Sequence, residues 1–127
     1  MKLKTDIPEM CNDSPRRKLI VELNIGFAEG NAAKVMPFLS DAIVWEMAND
    51  KVLYGFEEVS DFLEQIEKYK ADRLVIRSMV THGKMAACNG LLKYGDKEVH
   101  FADFYEFTSA GSATIKKITS YIPSKLF

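Results

Sequence analysis

The chain of 127 residues is long enough for one domain and too short for two independent cores. Its composition, 47% hydrophobic and 28% charged, is typical of a globular protein and excludes a disordered chain. The net charge is -1 and the densest basic run covers only residues 16–18, so neither nucleic acid nor an anionic membrane is expected as a partner.

The sequence favours a cytoplasmic location. No stretch approaches the roughly 20 apolar residues of a membrane span, and residues 1–10 lack the apolar core of a signal peptide. Two cysteines, Cys11 and Cys88, are too few for a disulfide framework. Cys88 lies in the middle of a predicted strand and is interpreted as a buried, unreactive thiol rather than a nucleophile.

The first half of the chain predicts helices after a loose arm. Residues 1–13 carry no periodicity and are the expected arm, and residues 14–127 are the single expected domain. Ser14 followed by Pro15 is typical of a helix start, and Gly30 is typical of a helix end. The apolar face of this first helix comprises Leu19, Ile20, Leu23 and Phe27.

A second, shorter helix is expected between Asn31, which can cap it, and Pro37, which cannot continue it. Residues 43–47 and 52–54 then predict two short strands joined by a turn. Gly55 precedes a third helix. The apolar face of that helix comprises Val59, Phe62, Leu63, Ile66 and Tyr69.

Four long strands are predicted in the second half of the chain, at residues 74–82, 85–94, 99–107 and 114–122. Turns that contain glycine separate them, which is typical of an antiparallel meander. Because helices and long strands are segregated along the chain, the sequence predicts an α+β fold with helices on one face of a curved antiparallel sheet.

Strand alternation singles out Asp103 as a candidate functional residue. Neighbours on a strand face opposite sides, so Asp103 shares a face with apolar and aromatic side chains. These are Val99, Phe101, Tyr105 and Phe107. A carboxylate on such a face must pair, accept hydrogen bonds or stay protonated. Asp103 is therefore either a functional acid or a structural aspartate bonded to Tyr105, a backbone amide or a buried water.

Other polar residues of the strands also allow two interpretations. Glu46 lies on a short strand that has apolar residues on both faces. It is either a functional carboxylate or a rim glutamate that reaches water. His82 ends the first long strand, and His100 shares a face with Glu98 and Glu106. Because the two histidines have no ligand spacing and the sequence has no Cys/His cluster, we expect neither a metal nor a cofactor.

Four short segments carry a further pattern: NIGFAEGN at 24–31, SDAIVWE at 40–46, YG at 54–55 and IKKI at 115–118. Together with the order of elements over residues 15–122, they resemble the nuclear transport factor 2-like superfamily. Its bacterial members include ketosteroid isomerases and SnoaL-type polyketide cyclases. The resemblance implies a cone-shaped curved sheet packed against three helices in the N-terminal half of the chain.

The resemblance to ketosteroid isomerases implies roles for two carboxylates. In those enzymes a carboxylate at the end of the first strand is the general base, and a protonated aspartate on a late strand donates to the oxyanion. Glu46 and Asp103 match these places. The tyrosine that is the second oxyanion donor is matched by Leu23, which cannot donate a hydrogen bond. The expected substitute is one of three tyrosines, Tyr54, Tyr105 or Tyr121.

Two functions follow from these features. The first is a SnoaL-like protein that binds a small apolar molecule in the cone, with isomerase-like or cyclase-like proton transfer by Glu46 and Asp103. The alternative is a non-catalytic binding or dimerisation module, and a homodimer through the sheet is expected. The expected ligand contacts are Trp45, Tyr54, Phe62, His82, Phe101, Tyr105 and Tyr121.

Overall fold

The computed structural model describes residues 2–123, which form three α-helices and one seven-stranded sheet. The helices are α1 (Pro15–Ala28), α2 (Ala32–Val35) and α3 (Gly55–Ile66). The strands are β1 (Lys4–Asp6), β2 (Leu39–Met47), β3 (Lys51–Tyr54), β4 (Arg73–His82), β5 (Met85–Tyr94), β6 (Lys97–Phe107) and β7 (Ile115–Tyr121).

The predicted helix ends are confirmed by their capping contacts. The side chain of Ser14 accepts a hydrogen bond from the backbone N–H of Arg17 at 3.2 Å, and Pro15 is the first residue of α1. Gly30 follows α1 with a φ of 67°, in the left-handed region that glycine adopts without strain. The side chain of Asn31 caps α2, which gives way to a 3-10 turn at Met36–Phe38.

The strand order in the sheet is β1-β4-β5-β6-β7-β2-β3. The α+β class and the antiparallel meander from β4 to β7 are confirmed. The sheet is mixed, however, and not purely antiparallel, because β2 pairs with β7 and β1 pairs with β4 in parallel. Reasoning from turn to turn along the chain cannot detect these two pairings, since each joins strands that are distant in sequence.

The N-terminal segment is docked on the sheet and is not a loose arm. The backbone N–H of Lys4 donates to the carbonyl of Asp72 at 2.9 Å, and Asp6 pairs with Arg73 at 2.6 Å. Cys11, in the 3-10 turn Glu9–Asn12, is fully buried in the core. The three side chains of β1 are exposed, so its pairing rests on backbone hydrogen bonds that leave no hydrophobic periodicity in the sequence.

The two faces of β6 differ as strand alternation predicts. Phe101, Tyr105 and Phe107 are buried on the inner face against the helices, whereas Phe104 is 47% exposed on the outer face. Bulges interrupt the pairing of β4 with β5 and of β6 with β7. Bulges bend strands, which lets the sheet curve. At the first bulge Gly90 is required, because a Cβ there would collide with the carbonyl oxygen of Val75.

Candidate functional site

A cavity of about 330 Å³ lies between the helices and the inner face of the sheet. The helices contribute Leu23, Asn24 and Phe27 from α1 and Phe62 from α3. The sheet contributes Trp45, Met47, Leu92, Val99, Phe101, Asp103, Tyr105, Ile118 and Ser120. Small-molecule sites are typically about 300–1,000 Å³ and mostly apolar with a few polar groups. The cavity fits that description.

Asp103 supplies the carboxylate of this cavity, on the inner face of β6. The hydroxyl of Tyr105 donates to Asp103 Oδ2 at 3.2 Å, and the hydroxyl of Ser120 makes a second hydrogen bond to the carboxylate. Burial raises the pKa of Asp103 from 3.8 to about 6, while the two hydroxyl bonds act in the opposite direction by stabilising the charged form. Asp103 therefore exchanges its proton close to neutral pH.

Tyr105 is held in place by a side chain from α1. The Nδ2 group of Asn24 donates to the Tyr105 hydroxyl at 3.1 Å and to the carbonyl of Ile20 at 2.9 Å. Because the Tyr105 oxygen accepts from Asn24, its single proton is free to point at Asp103. Burial, and then the charge of Asp103, raise the pKa of Tyr105 well above its usual value, so the phenol stays neutral.

Cys88 lies behind Tyr105, with its Sγ atom 3.5 Å from the Tyr105 hydroxyl. Burial, followed by the nearby charge of Asp103, raises the pKa of this thiol to about 12. The nucleophile is the thiolate, which does not form at physiological pH here. The predicted burial of Cys88 is confirmed, and the raised pKa agrees with its interpretation as an unreactive thiol.

Trp45 fixes the second hydroxyl. Its indole Nε1 donates to Ser120 Oγ at 2.9 Å, so the Ser120 proton is available for Asp103. The indole ring packs against Phe27 and Phe62, with ring centroids 6.0 and 6.1 Å away. A network of nitrogen donors and hydroxyls, from Asn24 on one side and Trp45 on the other, thus converges on one carboxylate.

The structure brings together five of the nine residues that the sequence analysis singled out. They are Trp45, Phe62, Phe101, Asp103 and Tyr105, and all of them line the cavity. Leu23, at the place of the expected tyrosine on the first helix, also lines it. Of the three tyrosines considered as substitutes, Tyr105 is the one that hydrogen-bonds Asp103.

The structure does not bring Glu46 and Asp103 together. Trp45 and Met47, the neighbours of Glu46 on β2, line the cavity, so the glutamate between them points to the outer face of the sheet. There its Oε1 atom lies 3.8 Å from Lys117 Nζ, and its side chain is 43% exposed. A base at Glu46 and an acid at Asp103 cannot act on one ligand from opposite faces of the sheet.

Three more of the expected ligand contacts lie away from the cavity. Tyr54 ends the edge strand β3 and is 63% exposed. His82 is exposed at the end of β4. Tyr121 lies half-exposed on the outer face, where its ring packs edge-on against Phe104 at 5.9 Å.

Sequence reasoning missed two polar residues of the site, Asn24 and Ser120, both buried. Asn24 lies four residues after Ile20 and three before Phe27, which places it on the apolar face of α1. Ser120 alternates with Ile118 and Ile122 on β7. In both cases the signal was a polar residue at an apolar position of the pattern, the same signal that identified Asp103.

Polar and charged residues occur at the mouth of the cavity, in the turn after β2 and at the start of β3. Asn49, Asp50 and Lys51 line this opening and are exposed. The Nζ atom of Lys51 lies 5.0 Å from the centroid of the Phe62 ring, at cation–π distance. An apolar, aromatic interior with one carboxylate therefore opens onto a polar rim.

Residues 2–123 contain no group of three or more His, Cys, Asp or Glu side chains that could hold a metal ion. Over the same residues, no helix is both long and apolar enough to cross a membrane.

Comparison with solved structures identifies the fold. An NTF2-like protein of unknown function from Cytophaga hutchinsonii is 26% identical with a TM-score of 0.66, over 83% of this chain and 96% of that one. A candidate ketosteroid isomerase from Kribbella flavida is 17% identical with a TM-score of 0.69, over 88% and 80%. A candidate SnoaL-like polyketide cyclase from Shewanella denitrificans is 13% identical with a TM-score of 0.70, over 86% and 91%.

These similarities confirm the resemblance drawn from the sequence: the chain has the nuclear transport factor 2-like fold. No protein-family model and no curated protein matches its sequence. Because this fold occurs in proteins described as a candidate isomerase, a candidate cyclase and a protein of unknown function, function has to be argued from the site itself.

Proposed function

We propose that the protein binds a small, mostly apolar molecule in the cavity, with the polar group of that molecule against Asp103. The observation that carries this proposal is the carboxylate of Asp103, oriented by two hydroxyls, in the interior of an aromatic cavity of about 330 Å³. Burying a carboxylate in apolar surroundings is unfavourable. A polar group brought by a ligand would compensate for that burial.

The binding test uses 2-decalol, a bicyclic alcohol, as the probe. Trp45 is the only tryptophan and lines the cavity, so its fluorescence reports on occupancy. We expect saturable binding to the wild-type protein, also seen by calorimetry. Leu23→Trp fills the cavity and should abolish the calorimetric signal, whereas Glu46→Gln, on the outer face, should leave it unchanged. Equal binding to the wild type and to the Leu23→Trp variant would show that the probe binds elsewhere.

Proton transfer by Asp103 alone is a second candidate function, favoured by the pKa of about 6 of this cavity-facing group. A general acid or base is most effective when its pKa is near the working pH. Its test is the exchange of hydrogens next to the carbonyl of 2-decalone in deuterated water. Acceleration by the wild type that is lost in Asp103→Asn and kept in Glu46→Gln would support catalysis, and no acceleration would leave binding as the function.

The same proposal includes a homodimer formed through the outer face of the sheet. Val80, Ala87, Phe104 and Thr119 form one row across β4 to β7, and Val80 and Phe104 are 63% and 47% exposed. Acidic and basic side chains flank the row, which suits a contact between two identical surfaces.

Sedimentation at two protein concentrations tests the dimer. We expect the wild type to be dimeric at the higher concentration and Phe104→Glu to be monomeric. Tyr54→Glu, at an aromatic position on the edge strand that is more exposed than Phe104, is the control and should remain dimeric. A wild type that stays monomeric at both concentrations would reject the dimer. A reducing, cytoplasmic location belongs to the same proposal and is supported by the two free, buried cysteines.

A further inference from the structure

Within the part of the chain that the structure describes, the side chains at the polar end of the cavity leave no hydrogen-bond donor for a ligand once Asp103 is ionised. Tyr105 and Ser120 direct their hydroxyl protons to Asp103. Trp45 Nε1 is used by Ser120, and Asn24 Nδ2 is used by Ile20 and Tyr105. What this end offers to a ligand is therefore acceptor oxygen, above all the carboxylate of Asp103. The ligand group that fits is itself a donor.

The charges around the cavity favour a positively charged donor. Among residues 2–123, the charged residues of the lining are Asp50, Lys51 and Asp103, which sum to -1 when Asp103 is ionised. Lys51 lies at the exposed mouth, over the Phe62 ring, and Asp103 makes no ion pair within residues 2–123. Glu46 on the outer face, by contrast, already has Lys117. Asp103, unlike Glu46, therefore has no counter-ion among the described residues.

The aromatic lining favours the same kind of ligand. Phe27, Trp45, Phe62, Phe101 and Tyr105 all contribute to the wall. Ring faces attract cations, most strongly for tryptophan and when water is excluded. Lys51 already lies over one of these rings from the solvent side. Aromatic rings around the Asp103 carboxylate form a suitable environment for an organic ammonium group.

We infer that the ligand of this cavity is an organic amine, bound as its ammonium form, with the charged nitrogen against Asp103 and an apolar body among the aromatic rings. This inference rests on the proposed binding function and names the class of ligand. Two other groups near Asp103 titrate, Cys88 and Tyr105, and burial keeps both neutral. Asp103 is therefore the group in the cavity interior whose charge responds to pH near neutrality.

The test compares three probes that share one bicyclic skeleton: 2-aminodecalin, 2-decalol and 2-decalone. At about pH 8, where Asp103 is ionised, we expect the amine to bind at least about tenfold more tightly than the ketone, with the alcohol between them. At about pH 5 this preference should shrink, because a protonated Asp103 can donate to the ketone and no longer attracts the ammonium. Calorimetry on the full chain gives all three affinities.

Two variants isolate the role of the carboxylate. Asp103→Asn keeps the shape of the side chain and should reduce the affinity for the amine about tenfold or more while sparing the alcohol. Glu46→Gln removes a carboxylate from the outer face and should change neither affinity. A ketone that binds the wild type at about pH 8 as tightly as the amine would overturn the amine inference and favour the proton-transfer function. Failure of all three probes to bind would instead count against the binding function itself.

Discussion

The two faces of the sheet provide opposite environments for a carboxylate. Glu46, on the outer face of β2, is exposed and lies 3.8 Å from Lys117. Asp103, on the inner face of β6, is enclosed by aromatic rings and receives two hydroxyl hydrogen bonds in place of a cation. The environment decides which carboxylate can act on a ligand. An exposed ion pair contributes little to stability, whereas the cavity-facing carboxylate of Asp103 has a raised pKa and no counter-ion among the described residues.

The aromatic residues of β6 show the same contrast. Phe107 is fully buried on the inner face, where the guanidinium of Arg16 lies 3.8 Å from its ring centroid. Phe104, three residues earlier, packs against Tyr121 on the open side of the sheet. A residue of the inner face can therefore be paired with a residue of the same type of chemistry on the outer face. Substituting both members separates the effect of burial on stability from the effect of the side chain itself.

The largest effect on the free energy of unfolding is expected from truncation of the buried Phe107 ring. Phe107→Ala should lower the free energy of unfolding by about 3–5 kcal/mol, because it removes apolar contacts and leaves a void. Phe104→Ala should cost less than about 1 kcal/mol in a dilute monomeric sample, since its ring is already half-exposed. Urea denaturation measures both. Similar losses for the two variants would show that the faces are not distinct.

The next largest effect on the free energy of unfolding is expected from substitution of the two carboxylates, and it depends on pH. Because the pKa of Asp103 is raised from 3.8 to about 6, the folded state binds the proton more tightly than the unfolded state. The contribution of Asp103 to stability is therefore greatest below about pH 4 and declines as the pH rises to about 6.

The Asp103→Asn variant has no carboxyl group to ionise at this position, so its stability should not show that decline with rising pH. It should be about 2–3 kcal/mol more stable than the wild type at about pH 8 and nearly equal to it at about pH 4. Glu46→Gln, the outer-face control, should differ from the wild type by less than about 1 kcal/mol at both pH values. Chemical denaturation at the two pH values gives the comparison. A constant difference between wild type and Asp103→Asn would contradict the buried position of Asp103.

The smallest effect is expected from the loss of one hydroxyl. Tyr105→Phe removes a donor to the ionised carboxylate, so the pKa of Asp103 should rise further. At about pH 8 this variant should be about 1–2 kcal/mol less stable than the wild type, with a smaller loss at low pH, where Asp103 is neutral. A loss of stability that is independent of pH would indicate that Tyr105 acts by packing alone.

Much of the fold was predictable because the signals are local. Ser14 and Asn31 mark helix starts through side-chain caps, and Pro15 and Gly30 mark helix boundaries through their backbone conformations. Alternation assigned the faces of β6. The parallel pairings of β1 and β2 depend on backbone bonds between distant segments. Local patterns do not encode such bonds.

For the site, the sequence identified Asp103 because a carboxylate on an otherwise apolar and aromatic strand face departs from the local pattern of alternation. The sequence could not show whether Glu46 lies on the inner or the outer face of the sheet, since both faces of β2 carry apolar residues. Nor could it reveal that Asn24 and Trp45 orient the two hydroxyls around Asp103, because those contacts cross from α1 to β6 and from β2 to β7.

The measurement that tests the central claim most directly is the titration of the Asp103 side-chain carboxyl, followed by carbon-13 nuclear magnetic resonance in the wild-type protein. The signal is assigned by its disappearance in Asp103→Asn. The enclosed environment on the inner face predicts a midpoint of about 6, moving downward when 2-aminodecalin is bound. A midpoint of about 4, the value of an exposed aspartate, that does not move with the amine would contradict the account.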